Sequence, residues 1–224
     1  MENKEYFGVM LDMSRNAVMS VESLKTYFGY LKKMGYNCVM LYTEDTYEVD
    51  GEPYLGYMRG RYSKAELIEL DEYADSLGIE LIPCIQTLAH IQGFVPWRKV
   101  PIDNEDAMLV DDPRTYEFIE NAIKSCRECF KSSRIHIGMD ESWDMGRGAF
   151  LTKHGYVPPF EIFGEYMESL IKIVNKYELQ PYMWSDMYFR FCDTSGYQLY
   201  YGKDFVIPKE VADKIPENME LVFL

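Results

Sequence analysis

Short apolar runs alternate with longer amphipathic ones along nearly the whole chain, and this rhythm limits the fold more than any other feature. Residues 7–12, 37–42, 80–85, 134–140 and 181–186 read as strands, and 220–224 as the start of a sixth. Residues 21–34 read as an amphipathic helix stopped by Gly35. Ser63, with Glu66 at the capping-box position, opens a second helix that runs to Leu77. Asp112-Pro113 opens a third, to about Phe130, and residues 159–177 form the fourth long one. Strands alternating with helices imply a parallel sheet, open or closed. The long connections, 43–62, 86–112 and 141–158, all follow strands, while the returns are short. That layout suits a (β/α)8 TIM-barrel type of α/β fold, which gathers its functional loops at the C-terminal ends of the strands. Eight units need ~250 residues, whereas about five and a half units use all 224 residues here. The expected fold is therefore a barrel truncated to about its first five and a half β/α units, occupying residues 1–224. A complete, smaller open sheet is the alternative; against it, no Gly-rich phosphate loop follows the first strand.

The stretch Arg134-Ile-His-Ile-Gly-Met-Asp-Glu-Ser142 carries the clearest chemical signal. Alternation on a strand puts His136, Gly138 and Asp140 on one face and Ile135, Ile137 and Met139 on the other. In a barrel the apolar set would face the helices and Asp140 would reach the functional end, with Glu141 just past it. Two carboxylates meeting at a pocket suit acid/base work on a glycosidic bond. The same dipeptide is also an ordinary loop start or helix N-cap.

A formal charge of −14 argues against nucleic-acid and membrane-surface partners. The N-terminal residues are charged and show no apolar signal segment, and no run is long enough to span a bilayer. Five cysteines are scattered, with Cys126 and Cys129 at helical spacing. A lone CxxC is weak evidence for zinc, so no metal and no cofactor are expected, and a reducing, cytoplasmic location fits.

Several stretches together resemble the family 20 glycoside hydrolases, the β-N-acetylhexosaminidases. They are Asp12-Met13-Ser14-Arg15-Asn16-Ala17-Val18, Leu41-Tyr42-Thr43-Glu44-Asp45-Thr46-Tyr47, Pro83-Cys84-Ile85-Gln86-Thr87-Leu88-Ala89-His90, Ile135-His136-Ile137-Gly138-Met139-Asp140-Glu141 and Met183-Trp184-Ser185-Asp186-Met187. The likeness follows chain order over almost the whole sequence. It is nearest to the bacterial exo-acting N-acetyl-β-D-glucosaminidases that lack a secretion signal. The resemblance implies substrate-assisted retention, in which the substrate's 2-acetamido oxygen attacks the anomeric carbon in place of an enzyme nucleophile. By this resemblance Asp140 orients the acetamide and stabilises the oxazolinium charge, and Glu141 is the general acid and then base. Arg15 would bind the sugar's 3- and 4-hydroxyls with its planar donor fork. His90 would back up the acid, with Asp45 as its carboxylate partner. Trp184 would wall the sugar or its acetamide, and Asp186 would stand beside it. His136 reads as structural, and Trp97 and Tyr54 as residues of loops bordering the site.

The resemblance also places a Tyr and further acidic and aromatic contacts beyond Leu224, and a small α+β domain before the barrel. By that measure the chain is an incomplete catalytic domain. Its open strand edges invite pairing with another copy or with a missing C-terminal half. The partner expected is a carbohydrate bearing terminal β-linked N-acetylhexosamine. The alternatives are an inactive fragment or a carbohydrate-binding pseudoenzyme. A metal-dependent barrel hydrolase fits poorly, because three dispersed histidines show neither His-x-His nor HExxH spacing.

Overall fold

The computed structural model describes residues 5–15, 17–93, 100–192, 201 and 207–223. The strands are β1 (Gly8–Asp12), β2 (Cys38–Tyr42), β3 (Glu80–Cys84), β4 (Arg134–His136), β5 (Gln180–Trp184) and β6 (Glu220–Val222). All are parallel and stand in chain order, each bonded to the next. One line of register crosses the sheet through Asp12, Tyr42, Cys84, His136, Tyr182 and Glu220.

Local chemistry explains where the helices begin. Ser20 caps α1 (Val21–Lys33) by accepting from the Ser23 N–H. In α2 (Lys64–Ser76) the capping box closes both ways: the Glu66 N–H donates to Ser63 Oγ at 3.2 Å, and the Ser63 N–H to Glu66 Oε2 at 2.8 Å. Such caps each contribute on the order of 1 kcal/mol. Asp112 caps α3 (Pro113–Cys129), with Pro in the first turn where no N–H is needed. Helices α4 (Ala149–His154), α5 (Pro159–Lys176), α6 (Asp186–Arg190) and α7 (Lys209–Ala212) follow. The short α4, α6 and α7 lie in stretches whose sequence shows no helical period, because each is too brief to display one.

Helices α1, α2, α3 and α5 contact one another in sequence, so they share one face of the sheet. A doubly wound open sheet would split them between two faces. The arrangement is therefore an arc of a (β/α)8-type barrel wall. On the helix side, Val39, Leu41, Leu81, Ile135, Ile137 and Met183 are buried in one cluster with Phe28, Leu70, Ile119 and Phe163. The other face carries Met10, Met40, Tyr182 and Trp184, which stay partly accessible. Cys126 and Cys129 are core residues of α3.

The fourth strand is shorter than its sequence suggests. Regular pairing stops at His136, because Gly138 (φ 72°) and Met139 (φ 75°) leave the extended region. Ile137 and Met139 nevertheless stay buried on the helix side.

Leu70 is fully buried in α2. Leu70→Ala should lower unfolding free energy by about 2–5 kcal/mol, read from the urea midpoint at unchanged slope. A loss below about 1 kcal/mol would show that this helix does not seal the core as described.

Candidate active site

A cavity of about 350 Å³ opens at the C-terminal ends of the strands, lined by Met10, Asp12, Arg15, Tyr42, His90, Asp140, Glu141 and Trp184. Strands β1, β2 and β5 and the loops after β1, β3 and β4 thus converge on one space, as the parallel order requires. A larger groove of about 780 Å³ lies outside, between α5 and residues 213–217. It holds no converging reactive groups, so the smaller cavity is the candidate.

Asp140 sits at the centre and is only 7% exposed. Gln86 Nε2 donates to its Oδ1 at 2.7 Å, and His90 Nε2 lies 3.0 Å from Oδ2. Burial pushes the Asp140 carboxyl up, but the His90 hydrogen bond and charge, with the Gln86 donor, outweigh it and hold the pKa below the usual range. For His90, burial opposes the charged ring. The Asp140 hydrogen bond and charge overcome that and lift its pKa to about 8. The same His90 nitrogen is 3.6 Å from Glu141 Oε2, so one imidazole faces both carboxylates.

Glu141 is more open, with 34% of its side chain exposed. It also lines a neighbouring hollow of about 350 Å³ with Asp106, Trp143, Asp144 and Arg190. Glu141 therefore stands between two spaces. There the Arg190 guanidinium lies 3.2 Å over the Trp143 ring.

On the opposite wall Arg15 Nη1 is 2.7 Å from both oxygens of Glu44, while its side chain remains 62% exposed. Tyr42 donates to Glu44 Oε1 at 2.8 Å. Trp184 packs against His136, ring centroids 4.7 Å apart. His136 is fully buried, accepts the Gly138 N–H on Nδ1 at 3.1 Å, and is driven by burial down to a pKa of about 4. It is a neutral structural group.

The family model for the glycosyl hydrolase family 20 catalytic domain matches residues 5–200. The chain belongs to glycosyl hydrolase family 20. Its fold is similar to that of the Vibrio harveyi exo β-N-acetylglucosaminidase solved with N-acetylglucosamine, at 18% identity and TM-score 0.75, over 97% of this chain and 38% of that one. It is similar also to the Streptomyces coelicolor A3(2) β-N-acetylhexosaminidase (23%, 0.66, 79% and 38%) and to the Streptomyces plicatus N-acetyl-β-hexosaminidase solved with Thio-NAglucal (22%, 0.69, 81% and 39%). The chain spans less than half the length of each of these. No curated protein matches the sequence.

Within this family 20 domain, Asp140, Glu141, Arg15, His90 and Trp184 come together around one cavity. Asp45 does not pair with His90. Its buried carboxylate is held by Arg59 Nε, 2.9 Å from Oδ1 and 2.7 Å from Oδ2. Arg59 arrives because Gly56 (φ 65°) turns the chain tightly against the Asp45 carbonyl. The loop after His90 then crosses Asp45 at Gly93, where a Cβ would lie 2.6 Å from Oδ2. His90 takes its partners instead from Asp140 on the ring and Asp106 Oδ1 on its N–H at 3.1 Å. Asp186 does not line the cavity either. It is buried behind Glu141 and accepts the Glu141 N–H at 3.0 Å, with burial raising its pKa to about 6. Tyr54 is exposed and packs on Tyr57 away from the site. Trp97 lies outside the described residues.

Sequence reasoning missed Glu44, Gln86, Tyr42 and Asp106 as site groups. Glu44 and Gln86 each follow a strand by two residues, which is the position where barrel loops begin and was the available signal. Asp103 is a further support: its buried carboxylate accepts N–H groups from Gly146 (2.8 Å), Arg147 (3.2 Å), Gly148 (3.4 Å) and Phe150 (2.7 Å), tying the β3 loop to the β4 loop. Among the described residues no His, Cys, Asp or Glu group is arranged to hold a metal, and no helix is long and apolar enough to cross a membrane.

His90 has a folded pKa of about 8 against an ordinary 6.5. Its stabilisation is complete below pH 6.5 and is lost as pH rises through 8. Over that window the native chain should lose on the order of 2 kcal/mol of unfolding free energy relative to His90→Gln. Equal pH slopes for the two would show that the ring is not charged against Asp140.

Proposed function

We propose that the cavity binds a terminal β-linked N-acetylhexosamine and that the chain's chemistry is hydrolysis of that linkage with retention. The observation that carries this reading is the Asp140–Glu141 pair, split between a buried site and an open one and bridged by a single histidine. A buried carboxylate held ionised by two donors suits the orientation of an acetamide N–H and the stabilisation of positive charge growing on the ring it forms. An open carboxylate between two spaces suits proton exchange with a leaving group and then with water.

In this scheme the acetamide oxygen attacks the anomeric carbon as the bond to the leaving oxygen breaks, and Glu141 supplies that oxygen's proton. Water then adds at the anomeric carbon, gives its proton to Glu141, and reopens the oxazoline ring. Asp140 stays ionised throughout. Arg15, with Glu44 behind it, offers a planar donor to vicinal hydroxyls, and Trp184 offers an apolar wall. The leaving group occupies the hollow beside Trp143.

A second reading is a chain that binds the sugar with little turnover. It is favoured by the arc's shape: the walls come from the β1–β5 side, and a bound sugar keeps its far side in solvent among the described residues. A location inside the cell is part of the proposal.

Hydrolysis of an aryl N-acetyl-β-glucosaminide by this chain, beside Glu141→Gln, is the direct test. Activity should fall at least about 100-fold in the variant on a poor leaving group and much less on an activated aryl one, which needs little acid help. Equal losses would remove Glu141 as the acid. A thiazoline mimic of the cyclised intermediate should bind far more tightly than N-acetylglucosamine. Tight thiazoline binding without hydrolysis would select the second reading, and absence of both would sink the carbohydrate assignment.

A further inference from the structure

We infer that Gln86 is a positioning residue: its buried amide locks the rotamer and the charge of Asp140, and it links Asp140 to the Arg15–Glu44 wall through Tyr42. This rests on the reading of Asp140 as the acetamide-orienting carboxylate.

The direction of the amide follows from its partners. The Met139 N–H lies 3.3 Å from Gln86 Oε1, and a backbone N–H can only donate. The oxygen must therefore face Met139, and the NH2 group faces the other way. Its nitrogen lies 2.7 Å from Asp140 Oδ1 and 2.9 Å from Tyr42 Oη. With its lone pair occupied by Gln86, the Tyr42 hydroxyl turns its proton to Glu44 Oε1 at 2.8 Å. Burial raises the Tyr42 pKa and keeps the hydroxyl a donor. One orientation is thus passed from the β4 backbone through Gln86 to Tyr42, Glu44 and Arg15.

Space enforces the arrangement. Gln86 is buried, and a Cβ at Gly138 would lie 2.1 Å from its Oε1. Only glycine at 138 leaves room for the amide in this place. No charge is added by Gln86, which matters here. A carboxylate at the same point would face Asp140 across 2.7 Å, and two such groups cannot both ionise. The other groups around Asp140 are His90, Glu141, Asp106 and Asp186, with neutral Tyr42, His136 and Cys84 behind. Gln86 is the uncharged donor among them.

The test is a titration of Asp140 in the full chain. The aspartate carboxyl carbons are labelled and followed by NMR against pH, with Asp140→Asn used to assign the signal. In Gln86→Leu the Asp140 midpoint should rise by about one pH unit, a tenfold change in its acidity, while His90 still titrates above its ordinary value. In Gln86→Glu, which keeps the side-chain length, Asp140 should titrate in two steps, the second far above the ordinary carboxylate range. Should the leucine variant fail to fold, the glutamate variant carries the test alone. An Asp140 midpoint at the native value in the folded variants, or a single unshifted step in Gln86→Glu, overturns the inference. Hydrolysis and thiazoline binding judge the glycosidase reading separately, and the titration stands or falls whichever way those go.

Discussion

A buried carboxylate is costly to ionise, and Asp140 is ionised only because two donors reach it from one stretch of chain. Gln86 and His90 both belong to the loop leaving β3, while Asp140 belongs to the loop leaving β4. Breaking either bond leaves a charge without compensation in a place that water hardly enters, a loss that commonly exceeds the worth of the bond itself. The two loops therefore cannot separate cheaply. Asp103 ties them a second time by accepting four backbone N–H groups between Gly146 and Phe150. Asp186 ties the β4 loop to β5 by holding the Glu141 N–H. Asp103 and Asp186 thus each spend a carboxylate on the loop that carries Glu141, while Asp140 spends its own on the loop leaving β3.

Strain collects at the same place. Among the described residues, six non-glycine residues have positive φ, and four of them are Glu44, His90, Met139 and Glu141. Each costs of order 1–3 kcal/mol and persists only where its surroundings over-determine it. Here the surroundings are visible. Glu44 is fixed by Arg15 and Tyr42, His90 by Asp106 and Asp140, Met139 by Gln86, and Glu141 by Asp186. In each case the left-handed turn swings a side chain or an N–H back over the end of the sheet. Regular strands would have carried these groups onward, away from the cavity.

What was legible in the sequence divides along physical lines. Caps and stops depend on a few adjacent residues, so Ser63 with Glu66, Asp112-Pro113 and Gly35 announced their helices within a residue or two. Strand order and one-sided helices followed from the alternation and the short returns. Arg15, His90 and Trp184 were picked out by the family resemblance, and their places at or just past strand ends account for their convergence with Asp140 and Glu141. Partnerships within the site were not legible. Asp45 and His90 each sit just past a strand, and only the tight turn at Gly56 decides that Arg59 reaches Asp45 first. The strand period placed Asp140 on the barrel-facing set as though β4 ran to its end. In fact β4 ends at His136, and two positive-φ residues deliver Asp140 by another route. Gln86 was signalled only by its place two residues past β3, because an amide between two apolar stretches owes its importance to what lies across the sheet.

The distance between the two walls of the cavity has a single origin. From Arg15 through Glu44, Tyr42 and Gln86 to Asp140, every link is a hydrogen bond of 2.7–2.9 Å. The links cross β1, β2, β3 and β4 in turn. Its middle members, Glu44, Tyr42 and Gln86, are anchored at or within two residues of a strand end. The middle of the path is therefore set by strand spacing, which is a fixed property of parallel sheets, and the Arg15 guanidinium and the Asp140 carboxylate are hydrogen-bonded to its two ends. A hexosamine ring carries its 2-acetamido and its 3- and 4-hydroxyl groups at equally fixed separations. Under the proposed function these two sets of separations must match, and the match depends on the register of the first four strands.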